Sequence, residues 1–322
     1  MRSTKGSGQA LPSGMLLVYK PKGMVSKDVS RRIESLYGRQ KIGHTGTLDP
    51  LAEGVLPILL GRATRLQDLL VGVEKEYIFD IAFGEETDTL DAAGEVVKRA
   101  DIPSGDGEEL SRLIESFVGS IEQVPPLYSA IKYKGRPLYD YMRKGEQDKI
   151  SFLDLKRQVH ISSLSVLNYT PQTASFRVTC SKGTYVRSLA RDIAYGLSSC
   201  ATVTRLVRSR CSGFSMEQAH SMEALERGFE EASSLVIPIE KLPLSVFRWY
   251  DEEGGILPKL WMGQKVSVDK RRFVTGFKEQ AVISLSHANL ILVNNQNRVL
   301  GIGESCEDMA GRVRLSLKRG LV

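Results

Sequence analysis

The chain has 322 residues, 42% of them apolar and 25% charged, which is enough for one large globular domain and a small one. It holds no run of about 20 apolar residues of the kind a membrane-spanning helix needs, and its polar N-terminus lacks the apolar stretch of a secretory signal. A net charge of +6 favours a polyanionic partner such as nucleic acid.

The first elements follow a polar segment, residues 1–14, that we expect to be a loose tail. The apolar run at residues 16–19 predicts a strand that ends in a turn. Ser26 is a candidate N-cap for a helix that ends near Gly38 and places its apolar residues on one face: Val29, Ile33 and Leu36. Residues 41–61 contain three glycines and two prolines, so we expect a functional loop there.

Strand and helix patterns follow one another irregularly through the middle of the chain. A half-buried strand is predicted where apolar residues take every second position, at Tyr77, Phe79, Ile81 and Phe83. Helical spacing predicts a helix over residues 110–117. A further strand is expected at 176–180, a turn at 181–184 and a helix at 186–197. This mixture favours an α+β fold with a mixed, largely antiparallel sheet over a doubly wound parallel sheet.

The pattern changes after about Pro243. Short apolar runs alternate with glycine or polar turns at residues 265–268, 273–274, 281–285, 290–293, 299–302 and 313–317. Such runs predict a small β-barrel. We therefore divide the chain into a tail (1–14), a large domain (15–242) and a C-terminal barrel (243–322).

Four cysteines lie far apart and form no CxxC pair: Cys180, Cys200, Cys211 and Cys306. Zinc sites and disulfide frameworks use closely spaced or numerous cysteines, so this spacing argues against both. We expect no metal and a reducing, cytoplasmic environment.

Residues 43–52, GHTGTLDPLA, bring an imidazole, two hydroxyls and a carboxylate together between glycines. Asp49 precedes Pro50, and the residue before a proline avoids the helical region of backbone space. A carboxylate held in an extended loop beside His44 suits a nucleophile or a base. The alternative is an Asx-Pro turn in which Asp49 only binds nearby amides, and spacing alone favours the turn.

Two other residues each have a functional and an ordinary explanation. Arg187 begins a predicted helix, where the helix dipole disfavours a cation, so a carboxylate partner would help to fix it there. The ordinary alternative is an exposed arginine. Tyr77 opens an apolar strand face, and core packing explains it when the residue is taken alone.

Residues 128–144 combine cations with tyrosines. The cations are Lys132, Lys134, Arg136, Arg143 and Lys144, and the tyrosines are Tyr128, Tyr133, Tyr139 and Tyr141. Cations neutralise phosphates and aromatic rings stack on splayed bases, so the segment is predicted to bind single-stranded RNA rather than to be only a solvated basic face. A second basic set supports the same interpretation: Arg205, Arg208 and Arg210.

Several segments closely resemble, in the same order, those of the TruB family of tRNA pseudouridine synthases, which modify uridine 55 in the TΨC loop. The main match is GHTGTLDPLAEGVLPILLG at residues 43–61. Further matches extend the resemblance over roughly residues 15–240: LVYKPKGMVSKD (17–28), KEY (75–77), GEETDTLDAAG (84–94), PPLYSAIKYKGRPLYDY (125–141), CSKGTYVR (180–187) and LVRSRCSGF (206–214).

The resemblance implies a reaction that uses neither cofactor nor metal. Asp49 would be the nucleophile, and the target base would be flipped out of its stack. Arg187 would pair with Asp49 and orient it, and Tyr77 would stack on the flipped base and take part in proton transfer. Attack at the sugar C1′, attack at the base C6 and a glycal route all remain open.

The resemblance also assigns residues around this centre. His44 would contact RNA where flipped nucleotides rearrange, Tyr185 and Leu206 would line the uridine pocket, Lys20 would lie near the site, and Asp91 would hydrogen-bond locally. Residues 125–155 would be an insertion that grips the tRNA arm and is ordered by it. The C-terminal barrel is similar to a PUA-like domain and would touch RNA through a short basic run: Lys270, Arg271 and Arg272.

Two positions depart from the family pattern: Glu53 stands where a small or hydroxyl residue is usual, and Lys27 where Asn or His is usual.

Two other functions compete with the synthase. A nucleoside or glycoside hydrolase needs two carboxylates across the scissile bond, and the matched motifs offer Asp49 an arginine instead. A non-catalytic tRNA-folding protein would need only residues 128–144. We expect a monomer that binds the TΨC stem-loop of tRNA and does not bind a membrane.

Overall fold

The computed structural model describes residues 10–38, 40–71, 74–104, 107–151, 153–242, 247–251, 255–268, 273–275, 289–294, 298–307 and 313–321. Its strands are β1 (Gly14–Lys20), β2 (Ile42–His44), β3 (Glu53–Leu60), β4 (Lys75–Phe83), β5 (Glu85–Thr87), β6 (Val96–Arg99), β7 (Gly119–Gln123), β8 (Lys132–Tyr133), β9 (Arg136–Pro137), β10 (Arg157–Tyr169), β11 (Thr173–Cys180), β12 (Ala201–Cys211), β13 (Phe214–Ser215), β14 (Ile237–Pro238), β15 (Phe247–Asp251), β16 (Val266–Val268), β17 (Phe273–Thr275), β18 (Asn289–Asn294), β19 (Val299–Glu307) and β20 (Val313–Gly320). Its α-helices are α1 (Ser26–Tyr37), α2 (Gln67–Val71), α3 (Glu108–Glu115), α4 (Leu138–Arg143), α5 (Val186–Gly196), α6 (Met222–Leu225), α7 (Phe229–Ser234) and α8 (Ile256–Trp261).

A ten-stranded sheet organises the first 242 residues. Its order is β14-β1-β3-β12-β4-β11-β10-β7, with β2 paired to β3 and β13 paired to β12. The strands pair antiparallel except for β3 and β12, which run parallel and share two register pairs, Val207 with Glu53 and Arg208 with Gly54. The predicted α+β fold with a mixed, mainly antiparallel sheet is confirmed.

Both faces of the sheet are covered. On one face, helices α1 and α5 share a buried cluster with β4 through Val29, Ile33, Leu189, Ile193, Phe79 and Ile81. On the other face, alternate residues of β1 and β3 form a second cluster: Met15, Leu17, Val55 and Leu59. Strands buried on both faces read as continuous apolar runs, which explains the sequences of β1 and β3.

Most of the predicted elements in this domain are confirmed. Strands β1, β4 and β11 and helices α1, α3 and α5 lie where the patterns placed them, and β4 alternates between buried and half-buried residues along its length. Helix α1 ends before Gly38, whose φ of 81° suits a glycine. Helix α3 ends at Glu115, so Phe117 lies beyond it.

The prediction of a loop throughout residues 41–61 is wrong at residues 42–44, which form β2, and at residues 53–60, where β3 runs through Pro57. The Pro57 carbonyl accepts from the Thr45 amide at 3.2 Å. The backbone nitrogen and oxygen of a strand residue point toward the same neighbouring strand. For Pro57 that neighbour is the segment just after β2, which ends at His44, so the N–H that proline lacks would have pointed beyond the end of β2. A proline at such an edge costs the sheet no ladder bond.

Residues 125–155 leave the sheet between β7 and β10 and form the insertion that the resemblance implied. It carries the hairpin β8–β9 and helix α4. It closes on a small core of its own: Ile131, Tyr133, Leu138, Tyr141, Ile150 and Leu155. The insertion therefore packs around side chains of its own.

A second sheet of six strands, β16-β20-β19-β18-β15-β17, begins at residue 247. Among the described strands its two ends are not paired, so the predicted small barrel is a curled, half-open sheet. Strand β15 and helix α8 were not predicted. The predicted run 281–285, the basic residues Lys270, Arg271 and Arg272, and residues 1–9 of the tail lie outside the described residues. We keep the boundaries near residues 14 and 242 as a proposal.

The two sheets share one apolar cluster. Met15 and Leu17 of the first sheet belong to the same buried cluster as Val293, Val299, Ile302 and Leu321 of the C-terminal region. An ion pair between Arg319 Nη2 and Asp68 Oδ2, 3.0 Å apart, lies at the same junction. The C-terminal sheet therefore covers part of the face of the first sheet that carries no long helix.

Candidate active site

Asp49 lies in the loop that joins β2 to β3, which we call the aspartate loop (residues 45–52). The loop is tied to helix α1, because the Ser26 hydroxyl donates to the Leu48 carbonyl at 2.9 Å and accepts from the Leu48 amide at 2.8 Å. Ser26 therefore does not cap the helix as predicted; Val25 occupies the N-cap position without a side-chain bond. The Ser26 hydroxyl instead fixes the residue that precedes Asp49.

An ion pair joins Asp49 to Arg187 at the start of α5. Arg187 Nη2 lies 2.8 Å from Asp49 Oδ2, and the side chains are 5% and 35% exposed, respectively. Arg187 is thus buried rather than exposed, and the contact that the resemblance implied is present. The pair is anchored from its buried side and presents the carboxylate to solvent.

Further contacts fix the Arg187 guanidinium from two other parts of the chain. Nη1 donates to the Thr89 carbonyl at 2.7 Å, and Nη2 donates to the Tyr128 carbonyl of the insertion at 3.2 Å. Asp91 Oδ2 lies 3.7 Å from Nη1. The other oxygen of Asp91 accepts from the Thr89 hydroxyl at 2.8 Å and from the Ala93 amide at 3.0 Å, as predicted for a local hydrogen bond. The guanidinium is therefore held before any substrate arrives.

Tyr77 lies near the start of β4 and is only 9% exposed. It belongs to the core cluster and also lines the cleft beside Asp49, so the ring packs in the core and forms part of the cleft wall. Burial raises the pKa of Tyr77 to about 12, although the nearby Arg208 guanidinium opposes that rise. At neutral pH the Tyr77 hydroxyl therefore carries its proton.

A cleft of about 260 Å³ opens beside Asp49. Five predicted site residues line it: Asp49, Tyr77, Tyr185, Arg187 and Leu206. Tyr185 is held through its backbone by the buried Gln123 side chain, which donates to the Tyr185 carbonyl at 3.1 Å and accepts from the Tyr185 amide at 2.8 Å. Gln123 was not predicted, because a single glutamine carries no motif.

Two predicted substrate residues are not among the described residues that line this cleft. Lys20 is fully buried, and its Nζ donates to the carbonyls of Pro21 at 3.0 Å and Met24 at 2.6 Å. Burial lowers its pKa to about 8, which the nearby Asp49 carboxylate partly opposes. His44 lies in a neighbouring cleft with the exposed Lys27, and burial lowers its pKa. Lys20 thus supports a turn near the site, and His44 faces a separate surface.

Arg208 and Lys75 line the Asp49 cleft and were not predicted to do so. Arg208 is fully buried, so its assignment to an RNA-facing basic set is wrong. The pairing of β12 with β4 shifts register between Arg208 and Arg210, and this irregularity directs Arg208 inward while Arg210 is exposed. Burial lowers the pKa of Lys75, whose Nζ donates to the Val71 carbonyl at 3.1 Å.

Arg205 and Glu53 are not among the residues that line the Asp49 cleft. Arg205 is about half-exposed and lies 3.8 Å from Glu53 and 3.7 Å from Asp80. Glu53 also lies beside Tyr19, where its charge adds to the effect of burial and raises the Tyr19 pKa. Glu53 therefore has local partners of its own on the sheet.

The cations of the insertion divide into two groups. Lys132, Lys134, Arg143 and Lys144 are exposed. Arg136 instead pairs with Glu146, and its guanidinium lies 3.5 Å from the centre of the Tyr141 ring. Tyr133 and Tyr141 are buried in the insertion core, so they pack there and are not free to stack on bases. The exposed four are available to phosphates, and Arg136 contributes to the core.

Neither a metal cluster nor a membrane span is present in the described part of the chain. No group of three His, Cys, Asp or Glu side chains is placed there to hold a metal ion. No helix within those residues is long and apolar enough to cross a membrane.

Comparisons with known proteins agree with this geometry. Residues 34–186 match the family model described as TruB family pseudouridylate synthase, N-terminal domain. The chain is 42% identical over 229 residues to a tRNA pseudouridine synthase B of Caldanaerobacter subterraneus subsp. tengcongensis, an alignment that covers 71% of this chain and 78% of that protein. It is 37% identical over 297 residues to one of Clostridium tetani, with 92% and 96% covered.

Among solved structures, the chain is similar to a Cbf5–Nop10–Gar1 complex, with a TM-score of 0.72, 22% identity and coverage of 96% of this chain and 85% of that chain. At this identity the likeness shows the fold alone. The sequence relatives decide the family, because each is well above 30% identical and most of its length is covered. The chain belongs to the TruB family of pseudouridylate synthases.

Proposed function

We propose that this protein isomerises uridine to pseudouridine at position 55 in the TΨC loop of tRNA, with Asp49 as its nucleophile. The observation that carries the proposal is the ion pair between a one-third-exposed carboxylate and a buried arginine, at the wall of a cleft. The family and its tRNA-modifying relatives supply the substrate class.

The geometry suits a reaction that needs one accessible carboxylate. All three routes open to the family require an anionic oxygen that reaches the target nucleoside while its other contacts stay fixed. Arg187 supplies the fixed contacts, because its bonds to Thr89 and Tyr128 do not involve Asp49. The guanidinium therefore orients the carboxylate and offsets its charge without closing the cleft.

Tyr77 and Tyr185 have the properties expected of residues that receive a flipped base. Both line the cleft, and aromatic faces stack on extruded bases. Because the Tyr77 pKa is about 12, its hydroxyl is a proton donor at neutral pH and a poor base. We therefore assign it to stacking and to proton donation rather than to proton abstraction.

The insertion supplies the grip on the tRNA arm. Its exposed cations neutralise phosphates in the TΨC stem-loop: Lys132, Lys134, Arg143 and Lys144. The same segment contributes the Tyr128 carbonyl to Arg187, so RNA binding and the catalytic centre share a structural element. We propose that the protein acts as a monomer, because side chains from one chain suffice to build this cleft.

The cellular setting follows from the substrate and the cysteines. The three cysteines whose side chains the structure describes are free and buried: Cys180, Cys200 and Cys211. Free thiols persist in a reducing compartment. We propose the cytoplasm, where tRNA is available.

The decisive experiment replaces Asp49 with asparagine, which keeps the shape and removes the charge. An unmodified tRNA transcript is incubated with each protein, and pseudouridine is mapped by carbodiimide-blocked primer extension. With the wild-type protein we expect a stop one nucleotide to the 3′ side of position 55, and with Asp49→Asn no such stop, at similar tRNA affinity. Asp101→Asn, which neutralises an exposed carboxylate, serves as the matched control and should retain the stop.

The same reaction mixtures separate the competing functions. Release of free uracil would indicate a nucleoside hydrolase. Full modification by Asp49→Asn would remove Asp49 from the mechanism. A wild-type protein that binds tRNA but forms no pseudouridine would leave a tRNA-folding protein as the remaining function.

A further inference from the structure

Arg208 is among the largest fully buried side chains of the protein. Among the described residues, no carboxylate lies within ion-pair distance of its guanidinium. Three of its five donors bond to backbone carbonyls instead: Nε to Val55 at 2.8 Å, Nη1 to Thr47 at 3.4 Å and Nη2 to Gly46 at 3.1 Å. A buried cation without an anionic partner is costly, so this residue needs an explanation.

The position of Arg208 in the sheet puts it beneath the catalytic residues. On strand β12 it is in register with Gly54 of β3 on one side and with Tyr77 of β4 on the other. Gly54 is the second residue of the strand that follows the aspartate loop. One side chain therefore meets the loop that carries Asp49, the strand after that loop and the strand that carries Tyr77.

We propose that Arg208 is a positioning residue for pseudouridine formation: its guanidinium holds the backbone of the aspartate loop so that Asp49 stays aligned with Arg187 and the cleft. This inference rests on the proposed function. It assigns Arg208 to the loop backbone, whereas Arg187 binds the Asp49 carboxylate itself.

The contacts require the shape of arginine. Gly46, Thr47 and Val55 present their carbonyls on different sides of the planar guanidinium, which offers five donors in a fixed arrangement. A lysine ammonium keeps the charge but is a point donor on a flexible stem, so it cannot serve the three carbonyls in the same geometry. Replacement by lysine therefore loosens the loop.

The ionisable neighbours of Arg208 respond to its charge. Arg208 is a secondary cause, after burial, of the lowered pKa values of His44, Lys20 and Lys75. It acts in the opposite direction to burial at the Tyr77 hydroxyl. The groups facing the guanidinium are thus cations, a phenol and backbone carbonyls, and its charge adds a positive potential beneath the aspartate loop.

The test compares Arg208→Lys with wild type in the full chain. With protein in excess over a tRNA transcript, the single-turnover rate of pseudouridine formation is measured, and tRNA affinity is measured by filter binding. We expect the rate to fall about 100-fold, the loss typical of roughly 1 Å of misplacement, while the Kd for tRNA changes less than about threefold. Arg177→Lys, an exposed arginine on β11 of the same sheet, is the matched control and should keep both values.

A merely structural role would give a different pattern. It would lower the thermal midpoint and the fraction of active protein, but the surviving protein would turn over at the wild-type rate. Active fraction is therefore titrated with tRNA before rates are compared. A wild-type rate in the active fraction of Arg208→Lys overturns the inference, and so does a loss confined to tRNA affinity.

A second variant keeps the inference testable if Arg208→Lys does not fold. Ser26→Ala removes the hydroxyl that binds Leu48, which is another side-chain support of the same loop. We expect a smaller rate loss, again without a change in tRNA affinity, because Asp49 and Arg187 remain. An unchanged rate in Ser26→Ala would show that support of the loop backbone does not limit the reaction and would contradict the inference. An inactive wild-type protein would instead reject the proposed function.

Discussion

At the scale of single residues, the two arginines of the site are more deeply buried than its aspartate. Arg187 is 5% exposed and Arg208 is fully buried, whereas the Asp49 carboxylate is 35% exposed. The protein thus fixes its cations in the fold and leaves the anion reachable. A carboxylate that is held by its surroundings and still open on one side suits a nucleophile better than a structural ion pair does.

Lys20 gives a pH-dependent prediction at this scale. Its pKa is about 8 in the folded protein, against 10.5 for an ordinary lysine. Between these values the unfolded chain holds more protons than the folded one, so the free energy of unfolding rises with pH over this window. Lys20→Met has no titrating group at this position, so its free energy of unfolding lacks this dependence on pH. We expect the stability of the wild type relative to this variant to increase by up to about 3 kcal/mol from pH 8 to pH 10.5.

Urea unfolding at closely spaced pH values measures this difference. Burial also raises the Tyr77 pKa to about 12, which lowers stability above pH 10 in both proteins and so cancels in the comparison. Lys22→Met, at an exposed position of the same turn, is the control and should follow the wild type. A constant difference between wild type and Lys20→Met would show that Lys20 titrates normally.

The site residues could be predicted from the sequence only through family resemblance. Asp49, Tyr77 and Arg187 are far apart in the chain, and spacing alone favoured a turn, a core tyrosine and an exposed arginine. The sheet and helix α5 bring the three together, and no local pattern encodes that meeting. Arg208 could not be identified in advance, because only the register shift before Arg210 reveals which arginine points inward.

At the scale of elements, the parallel contact between β3 and β12 determines where the aspartate loop ends. Gly54 has φ +108°, and a Cβ there would press against the backbone of Arg208. We expect Gly54→Ala to destabilise the protein by about 2–5 kcal/mol, from the unfavourable backbone angle and from overpacking. The rate of modification should fall with it, because β3 would move away from β12.

Thermal unfolding and single-turnover rates test this prediction together. Gly23→Ala is the matched control, because Gly23 has φ +88° but a Cβ added there would meet no atom of the described residues within 4 Å. Gly23→Ala should lower the free energy of unfolding by about 1 kcal/mol, from the unfavourable backbone angle alone. Equal losses in the two variants would show that close approach to Arg208 does not matter.

The accuracy of element prediction followed the physical strength of each pattern. β4 was predicted well because its alternation reflects one fully buried and one half-buried face. β3 was missed because Gly54 and Pro57 are strand breakers that only the neighbouring strands make harmless. Ser26 has the residue type of a helix cap, but the approach of Leu48, 22 residues away in sequence, engages its hydroxyl instead.

At the scale of the whole molecule, the two sheets are predicted to unfold together. Leu321 is 2% exposed and belongs to the cluster that also contains Met15 and Leu17 of the first sheet. We expect Leu321→Ala to lower the free energy of unfolding by about 2–5 kcal/mol in a single urea transition. Met262→Ala, at a side chain that is 70% exposed, should change it by less than about 0.5 kcal/mol. Two separate transitions, with only one shifted by Leu321→Ala, would contradict this coupling.

The bond from Arg208 to Val55 has a consequence for the protein during its synthesis. The two residues are 153 positions apart. At roughly 5–20 residues per second, a ribosome needs about 8–30 s to extend the chain from one to the other. Throughout that interval the nascent loop has its aspartate but not the arginine beneath it. A translation product that stops short of residue 208 lacks this support of the loop, and we expect it to form pseudouridine more slowly than the full chain.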